Sequence, residues 1–99
     1  MNDITPQELK ALKDEGKSIN LLDVREPFEY EEYNLDGKLV PLGELPSRLD
    51  ELEDWKEQEI IVHCKAGGRS ANAKAFLMQN GFKNVRNLLQ GADGYRRLS

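Results

Sequence analysis

The segment Val62-His63-Cys64-Lys65-Ala66-Gly67-Gly68-Arg69-Ser70 holds the residues best suited to chemistry. Cys64 is the sole cysteine, so it forms no internal disulfide and has no second thiol to resolve its oxidised form. Behind it, Gly67 and Gly68 allow the backbone to curl with its N–H groups pointing inward, where Ala66 completes the turn. Lys65 and Arg69 add two cations, and a helix beginning at Ser70 adds the positive end of its dipole. These groups converge near the sulfur, lowering the thiol pKa and holding a thiolate or a bound anion. A lone cysteine is most often a small buried hydrophobe. That explanation accounts for Cys64 but not for the glycines, cations and helix start beside it.

The elements that must position this loop follow from local patterns. Glu59 to Cys64 is an apolar run that predicts a strand ending at the cysteine, where open α/β sheets bind their ligands. Ile19 to Val24 predicts a second strand carrying Asp23 at its end, Leu39-Val40 a short third, and Val85 to Leu89 a fourth. Thr5-Pro6-Gln7-Glu8 opens a helix with a capping box and a proline at the first helical position, and Gly16 closes it. Pro27 to Tyr33 predicts a brief helix. Leu45, Leu49, Leu52 and Trp55 recur at helical spacing over Gly43 to Trp55. Ser70 caps a helix to Asn80, Gly81 and Phe82 end it, and Gly91 to Leu98 forms a terminal turn or two. Strands alternating with helices imply a parallel sheet covered on both faces, an α/β domain over residues 1–99.

Composition narrows the function classes. Ninety-nine residues fit one domain, and a net charge of -4 argues against nucleic acid or an acidic membrane surface as partner. The charge is uneven: Asp23 to Glu59 is acidic, whereas Lys65, Arg69, Lys74, Lys83, Arg86, Arg96 and Arg97 make the last third basic. A small anion is drawn to that third. Met1-Asn2-Asp3-Ile4 lacks an apolar run, so neither signal peptide nor anchor is expected, and the expected setting is the reducing cytoplasm.

Cys64-Lys65-Ala66-Gly67-Gly68-Arg69-Ser70 resembles the Cys-x-x-x-x-Arg loop of rhodanese-homology domains. Leu22-Asp23-Val24-Arg25-Glu26, Pro41-Leu42-Gly43-Glu44-Leu45 and Asn80-Gly81-Phe82-Lys83-Asn84-Val85 resemble three further family segments in the same order. The resemblance implies a rhodanese-like three-layer fold with a five-stranded parallel sheet flanked by helices. It also implies a thiosulfate sulfurtransferase-like activity. Cys64 would take a sulfane sulfur from a small anionic donor as a persulfide, then pass it to a thiol, cyanide or a protein acceptor, with neither metal nor cofactor. Related phosphatases place five residues between cysteine and arginine; this chain places four, which disfavours a phosphatase. The other class to weigh is a rhodanese-like module that binds a partner or senses a persulfide without turnover.

Supporting residues divide by geometry. Asp23 and Arg25 end the first strand on the loop's side of the sheet. Asp23 could bond loop amides or pair with Arg69, and Arg25 could steer an anion; alternatively the two form a structural ion pair. His63 precedes Cys64 and so points to the opposite face, leaving no histidine to activate the thiol. The family's "G-H-I-x-G-A-x-x-I-P" segment is replaced by Tyr33-Asn34-Leu35-Asp36-Gly37-Lys38-Leu39-Val40-Pro41, with Asn34 for the histidine and a Gly37-to-Pro41 spacing one residue shorter, and Tyr95 stands where a tryptophan is common.

Overall fold

The computed structural model describes residues 2–98; Met1 and Ser99, the two ends of the expected domain, lie outside the described residues. Four short parallel strands form its centre: β1 (Asn20–Asp23), β2 (Lys38–Leu39), β3 (Glu59–His63) and β4 (Asn84–Asn87), in the spatial order β2-β1-β3-β4. Central β3 pairs with β1 from Asn20↔Ile60 to Asp23↔His63 and with β4 from Glu59↔Asn84 to Val62↔Asn87. The C-terminal ends of β1, β3 and β4 therefore lie side by side, bringing Asp23, Cys64 and Asn87 to one edge of the sheet.

Because side chains alternate along a strand, β3 feeds two cores. Ile60, Val62 and Cys64 join Leu22, Val24 and Val85 on one face, covered by Ala73 and Leu77 of α3 (Gly68–Gln79) and by Leu45 and Leu52. Ile61 faces the other way with Leu21 and Leu88, beneath Leu9 of α1 (Pro6–Asp14) and Tyr95 of α4 (Gly91–Arg96). The result is the expected three-layer α/β arrangement. The capping box of α1 forms as expected, with the Glu8 N–H donating to Thr5 Oγ1 at 3.1 Å and the Thr5 N–H to Glu8 Oε1 at 2.9 Å. Phe82 folds back over the end of α3, its N–H donating to the Leu77 carbonyl at 3.1 Å.

Three expectations need correction. The sheet has four strands among the described residues, where five were expected. The fifth place holds a single residue, Ile4, bridged in parallel to Leu88. Thr5 and Pro6 start α1 immediately afterwards, and Pro6 has no N–H to extend the ladder. Leu42–Trp55 is a 3₁₀ segment rather than an α-helix. Pro46 lies inside it and Arg48 (φ -120°, ψ 17°) leaves helical geometry, yet Leu45 and Leu52 still reach the core. Finally, α3 begins at Gly68 with Gly67 as N-cap, so Ser70 lies inside the first turn and is not the cap.

The return from β4 to α4 fixes the position of the cysteine loop. Gln90 and Gly91 both take positive φ, at 63° and 56°, and the first amides of α4 then meet the loop. Ala92 N–H donates to the Cys64 carbonyl at 2.8 Å and Asp93 N–H to that of Lys65 at 3.0 Å. A Cβ on Gly91 would stand 2.5 Å from both carbonyl oxygens. Gly91→Ala is therefore expected to cost at least about 2 kcal/mol of stability, from strain plus overpacking, checked by urea unfolding. Unchanged stability would show that α4 does not grip the loop.

Candidate active site

Cys64 follows the last residue of β3 and is 1% exposed. Gly67 adopts φ +122°, which side-chain-bearing residues rarely do, and this turns its N–H back onto Cys64 Sγ at 3.1 Å. The neighbouring Gly68 starts the helix without unusual geometry, so of the glycine pair only Gly67 needs its conformational freedom. Buried Ser70, one turn into α3, places Oγ 3.3 Å from Sγ. Burial pushes the Cys64 thiol up. The Ser70 hydroxyl and the amides of Ser70, Gly67 and Ala66 outweigh it and bring the pKa below the ordinary value. Fixed amide dipoles stabilise the thiolate, and nothing there acts as a base.

The cations distribute differently from expectation. Arg69 does not sit free beside the sulfur. It forms a two-pronged ion pair with Glu29 of α2 (Pro27–Glu32), at 2.7 and 2.9 Å. This pair, with further bonds, holds the Glu29 carboxyl well down, at about 2. Lys65 is exposed and makes no ion pair among the described residues, which leaves it as the loop's available cation. A cleft of about 230 Å³ opens beside it, bordered by Phe28, Tyr33, Glu32, Ala92 and Arg96 among others. Phe28 is the most exposed large apolar side chain described, at 69%.

Asp23 neither pairs with Arg69 nor bonds the loop amides. It is wholly buried and clamps Arg25, with contacts of 2.7 to 3.1 Å through Arg25 Nε and Nη2. Arg25 is 4% exposed, and it also donates through Nη2 to the carbonyl of Tyr33 at 2.7 Å and through Nη1 to that of Glu29 at 3.3 Å. Arg25 thereby pins the β1–α2 junction as a structural ion pair with Asp23, and it also borders the cleft beside Lys65. His63 points away from Cys64, as alternation requires. Burial pushes its pKa down against the attraction of Asp23, whose Oδ2 lies 3.7 Å from an Nε2 without a hydrogen bond. Asn34 closes its own turn, accepting from the Asp36 N–H and donating to the Tyr30 carbonyl, both at 3.0 Å. Tyr95 packs half-buried in the second core.

Two residues at this edge escaped the sequence reading. Glu29 reaches Arg69 across forty positions of chain, and locally it serves the capping box of α2, which is all its spacing could reveal. Asn87 accepts from Ser70 Oγ at 2.5 Å and donates to the Gly67 carbonyl at 3.3 Å. Its signal was present: an asparagine at the end of a strand, where that residue type is disfavoured.

A parallel sheet with a buried cysteine in a short amide-lined loop at its C-terminal edge defines a small class of α/β domains. The Rhodanese-like domain model matches residues 5–98, and the chain belongs to that family. It is 30% identical over 98 residues to a protein named Sulfurtransferase from Allochromatium vinosum, covering 98% of this chain and 90% of that one. It is 38% identical over 90 residues to the putative sulfur carrier protein YrkF of Bacillus subtilis, covering 90% of this chain and 48% of the relative, so it spans about half of that protein. The crystal structure of a rhodanese-like domain protein from Staphylococcus aureus superposes with a TM-score of 0.85 at 30% identity, covering 96% of this chain and 91% of that one. Membership supports sulfur transfer in general.

The Glu29–Arg69 pair carries a pH signature. The Glu29 carboxyl is depressed in the fold, so the stability it contributes is fully present above about 4.5 and is lost as pH falls towards about 2. Glu29→Gln should therefore be less stable than the parent at pH 7, with the gap closing between those two values. Chemical unfolding across that range checks this; a gap independent of pH would remove the pair as its source.

Proposed function

We propose that this domain is a sulfurtransferase that moves a sulfane sulfur from a small anionic donor such as thiosulfate to a thiophilic acceptor through a Cys64 persulfide. The observation that carries this reading is the ring of donors around Sγ: the Gly67 N–H at 3.1 Å and the Ser70 hydroxyl at 3.3 Å, on a buried thiol. Such a site stabilises a single negative sulfur: both donors serve the thiolate, and the loop amides serve the terminal atom of the persulfide. The ring has four residues between Cys64 and Arg69, which disfavours tetrahedral phosphate chemistry.

In the first step the Cys64 thiolate attacks the outer sulfur of thiosulfate. The new S–S bond forms as the bond to the sulfite sulfur breaks, and sulfite leaves with that electron pair. Charge balances: one plus two negative charges enter, and one on the persulfide plus two on sulfite emerge. In the second step the acceptor, a cellular thiolate, cyanide or a protein cysteine, attacks the terminal sulfur and Cys64 leaves again as thiolate. Lys65 meets the incoming anion, while Arg69, matched by Glu29, braces α2 against α3. The reducing cytoplasm is the setting this cycle requires, because a free thiolate must persist there.

Intact-mass measurement tests the cycle. After thiosulfate the parent should gain one sulfur atom, lost again on adding cyanide, and Cys64→Ser should gain none. No gain with thiosulfate or any persulfide donor would overturn the enzyme reading and leave the domain a binding or sensing module. Lys65→Ala should raise KM for thiosulfate roughly three- to tenfold with little change in kcat, the loss of one charge-assisted contact. An unchanged KM would remove Lys65 from donor binding.

A further inference from the structure

Ser70 has one hydroxyl proton and three acceptors within reach. Cys64 Sγ lies at 3.3 Å, the Gly67 carbonyl at 3.2 Å and Asn87 Oδ1 at 2.5 Å. Only one of them can hold the proton at a time. With Cys64 protonated, the shortest and best acceptor is Asn87. The orientation of the Asn87 amide is set by its other contact. Its Nδ2 donates to the Gly67 carbonyl at 3.3 Å, and a reversed amide would bring two oxygens face to face there. Asn87 is itself held rigidly at the end of β4, 6% exposed, with its backbone N–H on Asp3 Oδ1 and its carbonyl accepting from Ile4, both at 3.0 Å.

A charged sulfur changes the competition, because hydrogen bonds to an anion are roughly twice as strong as neutral ones. We propose that Asn87 is a positioning residue that holds the Ser70 hydroxyl proton while Cys64 is neutral and yields it to Sγ while Cys64 is charged. No covalent bond changes; the hydroxyl rotates between two acceptors. Once the persulfide forms, Sγ becomes a neutral bridging sulfur and the charge moves to the outer atom, so the hydroxyl returns to Asn87. The site thereby supplies an extra donor in the one state that needs it. This inference rests on Cys64 being the nucleophile proposed above, but not on which donor or acceptor it serves.

The other groups facing Cys64 stay constant in the comparison that tests this. Arg69 of α3 interacts with the thiolate charge and remains paired with Glu29. Lys65 stands in the loop, His63 and Asp23 lie on the opposite face of the sheet, and Lys74 of α3 pairs with Asp3 behind Asn87 at 2.6 Å. The Gly67 carbonyl keeps its helical bond from the Ala71 N–H at 3.1 Å when the Asn87 side chain is replaced.

The experiment is the pH dependence of Cys64 alkylation by iodoacetamide in the parent, Asn87→Leu, Ser70→Ala and the double variant. Asn87→Leu frees the hydroxyl for the thiolate and should lower the midpoint by roughly half to one pH unit. Ser70→Ala should raise it, and adding Asn87→Leu to Ser70→Ala should change nothing more. An Asn87→Leu shift of equal size in both backgrounds, or an upward shift, overturns the proposal, because a merely structural role does not depend on the Ser70 hydroxyl. Side-chain amide NMR guards against a variant that fails to fold. The Asn87 Nδ2 signals should move with the Cys64 midpoint in the parent and stay still in Ser70→Ala; signals that ignore that midpoint in the parent also overturn it. Alkylation needs no sulfur donor, so these midpoints remain readable even where the mass experiment shows no persulfide.

Discussion

The backbone turn that wraps Cys64 Sγ in N–H donors is the constraint to which the rest of the structure answers. A buried thiol is driven towards its neutral form, and only donors held at fixed distance reverse that. Holding them requires the chain to leave β3, reverse within three residues and enter α3 without a side chain at Gly67 in the way. It also requires the carbonyls of Cys64 and Lys65, which point out of the turn, to be satisfied. The first amides of α4 do this, which is why Gly91 has no space for a Cβ. The last helix of the chain is thus part of the site without touching the sulfur.

The same edge of the sheet carries a line of charge pairs. Asp23 clamps Arg25, Arg25 holds the Tyr33 and Glu29 carbonyls, and the Glu29 carboxylate clamps Arg69. Burying the Asp23–Arg25 pair has a desolvation cost that its good geometry offsets, while removing either partner alone would expose the other to a loss of about 3 to 5 kcal/mol. What the line provides is placement. It ties β1 to α2 and α2 to α3, and so sets the wall opposite the cysteine loop. Because Arg69 is paired with Glu29, Lys65 is the loop cation that makes no ion pair among the described residues.

His63 shows how strand alternation separates functions one residue apart. Cys64 belongs to the core beneath α3, whereas His63 faces Asp23 on the other side with one ring nitrogen unsatisfied. His63 cannot then act as base for Cys64, and the amide and hydroxyl donors around Sγ favour the thiolate instead. That suits transfer of a sulfur that carries its own charge, where no proton has to be moved on to a leaving group.

What the sequence determined by itself were the local quantities. The apolar run ending at Cys64, the glycine turn, the capping box of α1 and the alternation that turns His63 away each depend on a few consecutive residues, and each was legible. So was the parallel α/β sheet, since strands alternating with helices leave few other arrangements. Tertiary structure alone decided what depends on residues far apart in the chain. Arg69 found Glu29 and Asn87 came to rest on Ser70, across separations of forty and seventeen positions. Two departures had local causes instead: a helix start one residue beyond Ile4 leaves only a bridge where a fifth strand was expected, and Pro46 lies within the 3₁₀ segment that replaces the helix expected over Gly43 to Trp55. Charge and hydrogen-bonding capacity are written in residue type. The choice of partner is made by the sheet, which brings three strand ends to one edge and so decides which polar groups are buried together there.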